Sequence, residues 1–225
     1  MTERLREGVW WIEGSASNVF LVEDDDDLVL LDAGTPSDAD AIREGVVAAG
    51  HAVADVDRVL LTHYDYDHVG ALATLPALDA PVYAHEPDAS FLDGSATPGL
   101  WPHKALLQRV TRPFLDHPSL PVERVADGET VGSFTAHHTP GHGPGHLAWV
   151  SERLDTAFLG DLVREADGAL SPSPWVVSYD TATVADSVRQ LADRDPTVSV
   201  AGMGHGTPLQ TGASDALRRL AVELD

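Results

Sequence analysis

The segment Thr62-His63-Tyr64-Asp65-Tyr66-Asp67-His68-Val69-Gly70 puts four potential metal ligands within six residues. It follows Val59-Leu60-Leu61, an apolar run without alternation that reads as a strand buried on both faces. Side chains alternate along a strand, so His63 and Asp65 leave it on the same side. The turn that follows can bring Asp67 and His68 to a neighbouring position. Imidazole and carboxylate suit zinc, iron or manganese, and both hold such ions at about 2.0–2.2 Å. Three later pieces carry the same residue types: Thr139-Pro140-Gly141-His142, Phe158-Leu159-Gly160-Asp161 and Ala201-Gly202-Met203-Gly204-His205-Gly206. Each follows a predicted strand, so all can converge on one edge of a layered fold. The glycines of Gly141-His142-Gly143-Pro144-Gly145 are interrupted by proline and lead to no lysine, so they do not form a phosphate loop.

The elements that must position these residues are legible in the surrounding pattern. Val9-Trp10-Trp11-Ile12, Asn18 to Glu23 and Leu28 to Asp32 read as strands. Asp24 to Asp27 read as a solvated hairpin tip. Thr35-Pro36-Ser37-Asp38 starts a helix with proline at its first position, and that helix ends at Gly50. Val56 to Thr62 is a fourth strand, and Pro81 to His85 a short one. Residues 87–118 read as a helical insertion, with Phe91, Trp101 and Phe114 expected to wall the metals. Strand patterns return at Thr130 to His137, Leu147 to Val150, Thr156 to Leu159 and Val198 to Val200. Helices are expected at Thr181 to Arg194 and Ser214 to Leu224. Strands, a helix and strands again occur twice. The expectation is therefore one α/β domain over 1–225, built as a four-layer αββα sandwich.

Composition bounds the rest. The 225 residues are 43% hydrophobic and 22% charged, enough apolar material for a packed core. Cysteine is absent, which excludes disulfides, thiolate zinc sites, iron–sulfur clusters and a cysteine nucleophile. No apolar run reaches the roughly 20 residues that span a bilayer, and no charged-then-apolar leader opens the chain. A cytoplasmic protein with no membrane partner is expected. Acidic residues number 36 against 14 basic ones, a net charge of −22, and Lys104 is the only lysine. So acidic a chain is not expected to bind nucleic acid. Its dense acidic surface resembles that of proteins from halophilic organisms, in which salt screens the self-repulsion.

Taken in order, the four motifs resemble the metallo-β-lactamase-fold hydrolase superfamily, whose pattern is His-x-His-x-Asp-His, a lone His, an Asp and a final His. The resemblance covers almost the whole chain. It implies two divalent metal ions, zinc foremost, with iron or manganese as alternatives. His63, position 65 and His142 would hold the first ion. Asp67, His68 and His205 would hold the second, and Asp161 would bridge them. Asp32 in Leu30-Leu31-Asp32-Ala33-Gly34 matches an aspartate that supports the ligand loop.

One position departs from the pattern: the second histidine is Asp65 here. With Asp65 ligating, a third carboxylate joins the centre, and the summed charge falls from the usual +1 to zero. The implied reaction is hydrolysis, with a metal-bound hydroxide attacking the carbonyl of an ester, thioester or lactone, and Asp67 as the catalytic residue that orients the nucleophile. Within the superfamily, Thr-His-x-x-x-Asp-His-Val-Gly and Thr-Pro-Gly-His resemble the glyoxalase II-like thioester hydrolases, whose C-terminal glutathione-holding domain is not expected here. The substrate is expected to be a small molecule held by 87–118 and the Ser171 to Tyr179 loop. The alternatives are a lactonase, a di-iron redox-type protein and a metal-binding protein without catalysis. His146, His137 and His138 are expected in supporting roles.

Overall fold

The computed structural model describes residues 1–224. Strands β1 (Thr2–Arg6), β2 (Val9–Glu13), β3 (Asn18–Asp24) and β4 (Asp27–Leu31) form an antiparallel meander. Helix α1 (Ala39–Ala48) carries the chain to β5 (Val56–Leu60), and the short α2 (Tyr66–Val69) follows. Next come β6 (Val82–Ala84), α3 (Asp88–Leu92), α4 (His103–Thr111) and β7 (Val122–Arg124). These strands make one seven-stranded sheet in sequential order, parallel from β4 to β7. The second half supplies β8 (Thr130–Val131), β9 (Phe134–His138), β10 (Leu147–Ser151), β11 (Thr156–Phe158), the hairpin β12 (Val163–Ala166) and β13 (Ala169–Pro172), α5 (Thr181–Asp193), β14 (Val200–Gly202) and α6 (Ala213–Glu223). Its five-stranded sheet runs β14-β11-β10-β9-β8.

The two-residue period of the strands sorts side chains into separate cores. Val19, Leu21, Leu28 and Leu30 face outward onto Ile42 and Val46 of α1. Their neighbours Phe20, Val22, Val29 and Leu31 face inward and meet Phe134, Leu147, Trp149 and Phe158 between the sheets. On the far side, Ala148 and Val150 pack under Val184, Val188 and Leu191 of α5 and Leu217 and Leu220 of α6. Helix, sheet, sheet and helix stack as a four-layer αββα sandwich.

Several local features differ from the sequence expectation, among them β7 and the β12–β13 hairpin, where no strand was expected. Strand β1 was not foreseen, because Thr-Glu-Arg-Leu-Arg has a single strong apolar residue and pairs only along the edge of β2. The strand expected over 130–137 is broken by a turn at Gly132, whose φ of +61° suits glycine. The Asp24–Asp27 tip is less solvated than expected. Asp24 is buried, accepts the Ser133 N–H at 2.9 Å and pairs with Arg153, so it ties the first sheet to the second. Among the described residues, no helix is long and apolar enough to cross a membrane.

Candidate metal centre

The loops that leave β5, β9, β11 and β14 meet at one edge of the sandwich. Each of their four histidines turns Nε2 into the same space because Nδ1 is held from behind. Nδ1 of His63 is hydrogen-bonded to Thr62 Oγ1 at 3.0 Å, and that of His68 to Asp32 Oδ2 at 2.8 Å. Nδ1 of His142 is hydrogen-bonded to Ser173 Oγ at 2.8 Å, and that of His205 to the Ala16 carbonyl at 3.0 Å. Such partners fix ring orientation and raise ligand basicity. Asp32 also accepts the Thr62 N–H and hydroxyl at 2.8 and 2.7 Å, so one buried carboxylate sets both the end of the strand and the His68 ring.

Asp161 stands at the middle. Its Oδ1 faces His68 Nε2 at 3.4 Å, and its Oδ2 faces His142 Nε2 at 3.4 Å and His205 Nε2 at 3.1 Å. His63 Nε2 lies 3.1 Å from His142 Nε2. Asp65 Oδ2 sits beside both, at 3.1 and 3.2 Å. Asp67 Oδ2 is 3.7 Å from His205 Nε2. Two donor groups result, His63 with His142 and Asp161, and Asp67 with His68 and His205. The seven residues singled out in the sequence are thus brought to one place.

The donor set fits divalent ions. His68 Nε2 and Asp161 Oδ1 are buried and make no hydrogen bond, although such groups are costly to leave unpaired. Donors bound at about 2.0–2.1 Å around a tetrahedral ion stand about 3.3 Å from one another, close to the spacings found here. The backbone leaves room for this cluster only where it lacks side chains: a Cβ on Gly204 would overlap Asp161 Oδ1.

Electrostatics separates the histidines. Burial pushes His63 down to about 4, with the neighbouring His68 adding to the effect, and burial also lowers His142. Burial opposes a charge on His68 as well, but Asp161 and Asp32 outweigh it and hold that group well above the usual range. For Asp161, burial is outweighed by His68 and His142, so the carboxyl stays well below its ordinary value. Cations are therefore favoured next to Asp161, and a metal bound there displaces a proton.

His146 supports the centre from beneath, as expected, its Nε2 accepting the Asp161 N–H at 3.0 Å. Other residues have other places than expected. His138 is bonded to the Pro144 carbonyl and His137 to Arg194, away from the ligands. Phe91 is buried against Tyr64 in the outer core, while Trp101 and Phe114 are 86% and 72% exposed. The expected wall of these three aromatics is absent. Lys104, Leu107, Gln108 and Thr111 of α4 border a cavity of about 210 Å³ beside Asp65 and Asp67. A second cavity of about 330 Å³, lined by Val163, Arg164, Ser173 and Pro174, adjoins the first and shares Asp161, Val177 and His205 with it.

Sequence reasoning missed two partners of Asp65. Lys104 Nζ lies 2.8 Å from Asp65 Oδ2, and Gln108 Nε2 donates to Oδ1 at 2.8 Å. Gln108 is oriented in turn by Tyr179, whose hydroxyl donates to its Oε1 at 2.5 Å. The signal for Lys104 was its singularity: one lysine in a chain whose other cations are arginines.

A family model described as the metallo-beta-lactamase superfamily matches residues 12–205. The chain belongs to this superfamily. The uncharacterized protein YobT of Bacillus subtilis is 30% identical over 86% of this chain and 84% of its own. The thioesterase pkgB of Emericella nidulans is 27% identical over 92% of this chain, which spans about half (52%) of that protein. The crystal structure of TTHA1623 in a di-iron-bound form superposes with a TM-score of 0.67 at 28% identity, covering 95% of this chain and 96% of that one. Membership makes the chain a metal-binding hydrolase in general terms, and the layered architecture matches that of its solved structural neighbours.

Proposed function

We propose that this protein hydrolyses the acyl bond of a small thioester, ester or lactone at a two-ion centre held by His63, Asp65, His142, Asp161, Asp67, His68 and His205. The observation that carries the reading is the position of Asp161, whose carboxylate lies within 3.4 Å of His142 in one donor group and of His68 and His205 in the other. Divalent ions held there supply Lewis acidity and a water of lowered pKa.

The chain's own residues do the rest. Asp67 borders the smaller cavity with its carboxylate near His205, positioned to orient a nucleophile and to pass its proton to a leaving group. Leu107 and Val177 give that cavity apolar walls that exclude water from a bound acyl group. The two adjoining cavities that share Asp161 and His205 give the acyl part and the leaving group separate places. A thioester is the favoured substrate class, supported by the glyoxalase II-like motifs and by a relative named as a thioesterase. A lactone is the second, since its carbonyl makes the same demands.

Zinc is the first expectation for the ions. The Asp65 oxygen makes the first site harder than a three-histidine one, which supports iron or manganese as occupants. The dense acidic surface supports a protein adapted to high salt.

The test is metal analysis of protein purified in molar potassium chloride, followed by assays with S-acyl thioester, lactone and phosphodiester substrates. Thioester or lactone hydrolysis, lost on chelation and restored by zinc, manganese or ferrous iron, is expected. Cleavage of the phosphodiester alone, or bound metal without turnover of any acyl substrate, overturns the proposal.

A further inference from the structure

Two anomalies of the sequence meet in the structure. Asp65 is the one place where the ligand pattern is broken, and Lys104 is the one lysine of the chain. They lie 2.8 Å apart, with the lysine side chain only 2% exposed. A lysine is among the residues least often buried, and a buried charge is tolerated only where it is paired. Lys104 and Gln108 stand four residues apart on α4, so they share one face of the helix, and both reach the Asp65 carboxylate. Gln108 takes Oδ1, while Oδ2 meets Lys104 and stands between His63 and His142 at 3.1 and 3.2 Å.

We propose that Asp65 and Lys104 together do the work of the missing histidine. In this arrangement Lys104 is a positioning residue: it holds Asp65 against the first metal site and cancels its charge. The inference rests on the metal-centre reading above. Three aspartates, Asp65, Asp67 and Asp161, face the four positive charges of two divalent ions, where the three-histidine pattern has two. The ammonium of Lys104 offsets the third. The neutral sum expected from the sequence is therefore corrected by one positive charge that α4 brings in. Replacing Asp65 alone by histidine then does not rebuild the common site. It strands a buried cation within a few ångströms of a divalent ion.

The experiment is zinc competition against a chromophoric chelator, with stepwise binding constants for the metal-free wild type, Asp65→His and Asp65→His/Lys104→Met. Circular dichroism confirms that each folds. Asp65→His is expected to bind one of its two zinc ions at least about tenfold more weakly, because the uncompensated ammonium repels it. Removing that ammonium in the double variant should return the constant to within about threefold of wild type, since a neutral three-imidazole set remains. A lysine that merely fills space predicts the opposite order, with the double variant no better than the single one. Equal binding by Asp65→His and its double variant, or undiminished binding by Asp65→His, overturns the proposal. If the double variant does not fold, Asp65→His/Lys104→Gln provides the same comparison. The readout is affinity, so failure to find an acyl substrate leaves this result intact, whereas a wild type that binds no zinc, manganese or ferrous iron defeats the metal reading itself.

Discussion

Asp32 and Thr62 lie thirty positions apart in the chain and are joined twice, through the Thr62 amide at 2.8 Å and its hydroxyl at 2.7 Å. Asp32 takes up a φ of +58° immediately after β4 to make this reach. The same carboxylate oxygen that holds the hydroxyl also holds His68 Nδ1. The end of β5 and a ligand on α2 are therefore set by one side chain from the neighbouring strand.

Asp32→Ala is expected to destabilise the protein by about 3–5 kcal/mol, since it leaves buried donors without their charged partner. Asp32→Asn should fold better and still weaken metal binding by about 10–100-fold, because the His68 ring loses the acceptor that orients it. Urea unfolding and chelator titration measure the two effects. Unchanged metal affinity in Asp32→Asn would remove Asp32 from the support of the centre.

Asp88 gives a pH signature. Burial, with Asp65 adding to it, holds its carboxyl up at about 7, against hydrogen bonds from the Tyr64 and Gly145 amides. The ordinary value is 3.8. Between these values the folded state binds the extra proton, so this contribution to stability is full below about 4 and is lost as pH rises toward 7. Relative to Asp88→Asn, the wild type should lose stability steadily from pH 4 to 7 and then level off. Parallel denaturation profiles for the two proteins would contradict this.

Trp101→Ala should leave stability within about 0.5 kcal/mol and KM unaltered, because the indole is mostly in solvent. Thr111→Trp, by contrast, places a large ring at the smaller cavity and should raise KM for the preferred substrate without removing metal. Steady-state kinetics with metal counting on both variants separates the exposed aromatic from the true wall.

The net charge of −22 predicts a strong salt response. Several arginines are engaged with nearby acids, among them Arg124 with Glu86 and Asp93, and Arg218 with Asp195 and Asp215. The excess acids are left to repel one another, and potassium chloride at molar strength shortens the Debye length to about 3 Å. Tm should climb substantially from dilute buffer to molar salt. A flat profile would dismiss salt adaptation.

The convergence of the candidate ligands was legible in the sequence because each follows a predicted strand, and because His63, Asp67 and His68 are so closely spaced. The layers were legible for the same reason: Val19 and Leu21 alternate with Phe20 and Val22, and that alternation alone assigns them to two cores. What surrounds the ligands was less legible. The burial of Lys104 depends on where α4 docks, and no periodicity in residues 87–118 announces that. Phe91, Trp101 and Phe114 looked alike as aromatics in an irregular stretch, yet one is in the core and two are in solvent. Aromatic character without a strand or helix period does not say which way a side chain faces.

The two donor groups draw on both halves of the chain. His63, Asp65, Asp67 and His68 come from loops of the first sheet, and His142, Asp161 and His205 from loops of the second. Any ion seated among them is a rivet driven through the seam between two sheets that otherwise adhere by apolar contact and a few polar ties such as Asp24 with Ser133 and Arg153. Stripping it should loosen the seam from that edge inward, with hydrogen exchange quickening first at 63–69, 142–146 and 203–206 while the cores beneath α1 and α5 stay closed. Each donor group takes residues from both sheets, so metal loading is expected to require, and so to report, that the two sheets have come together.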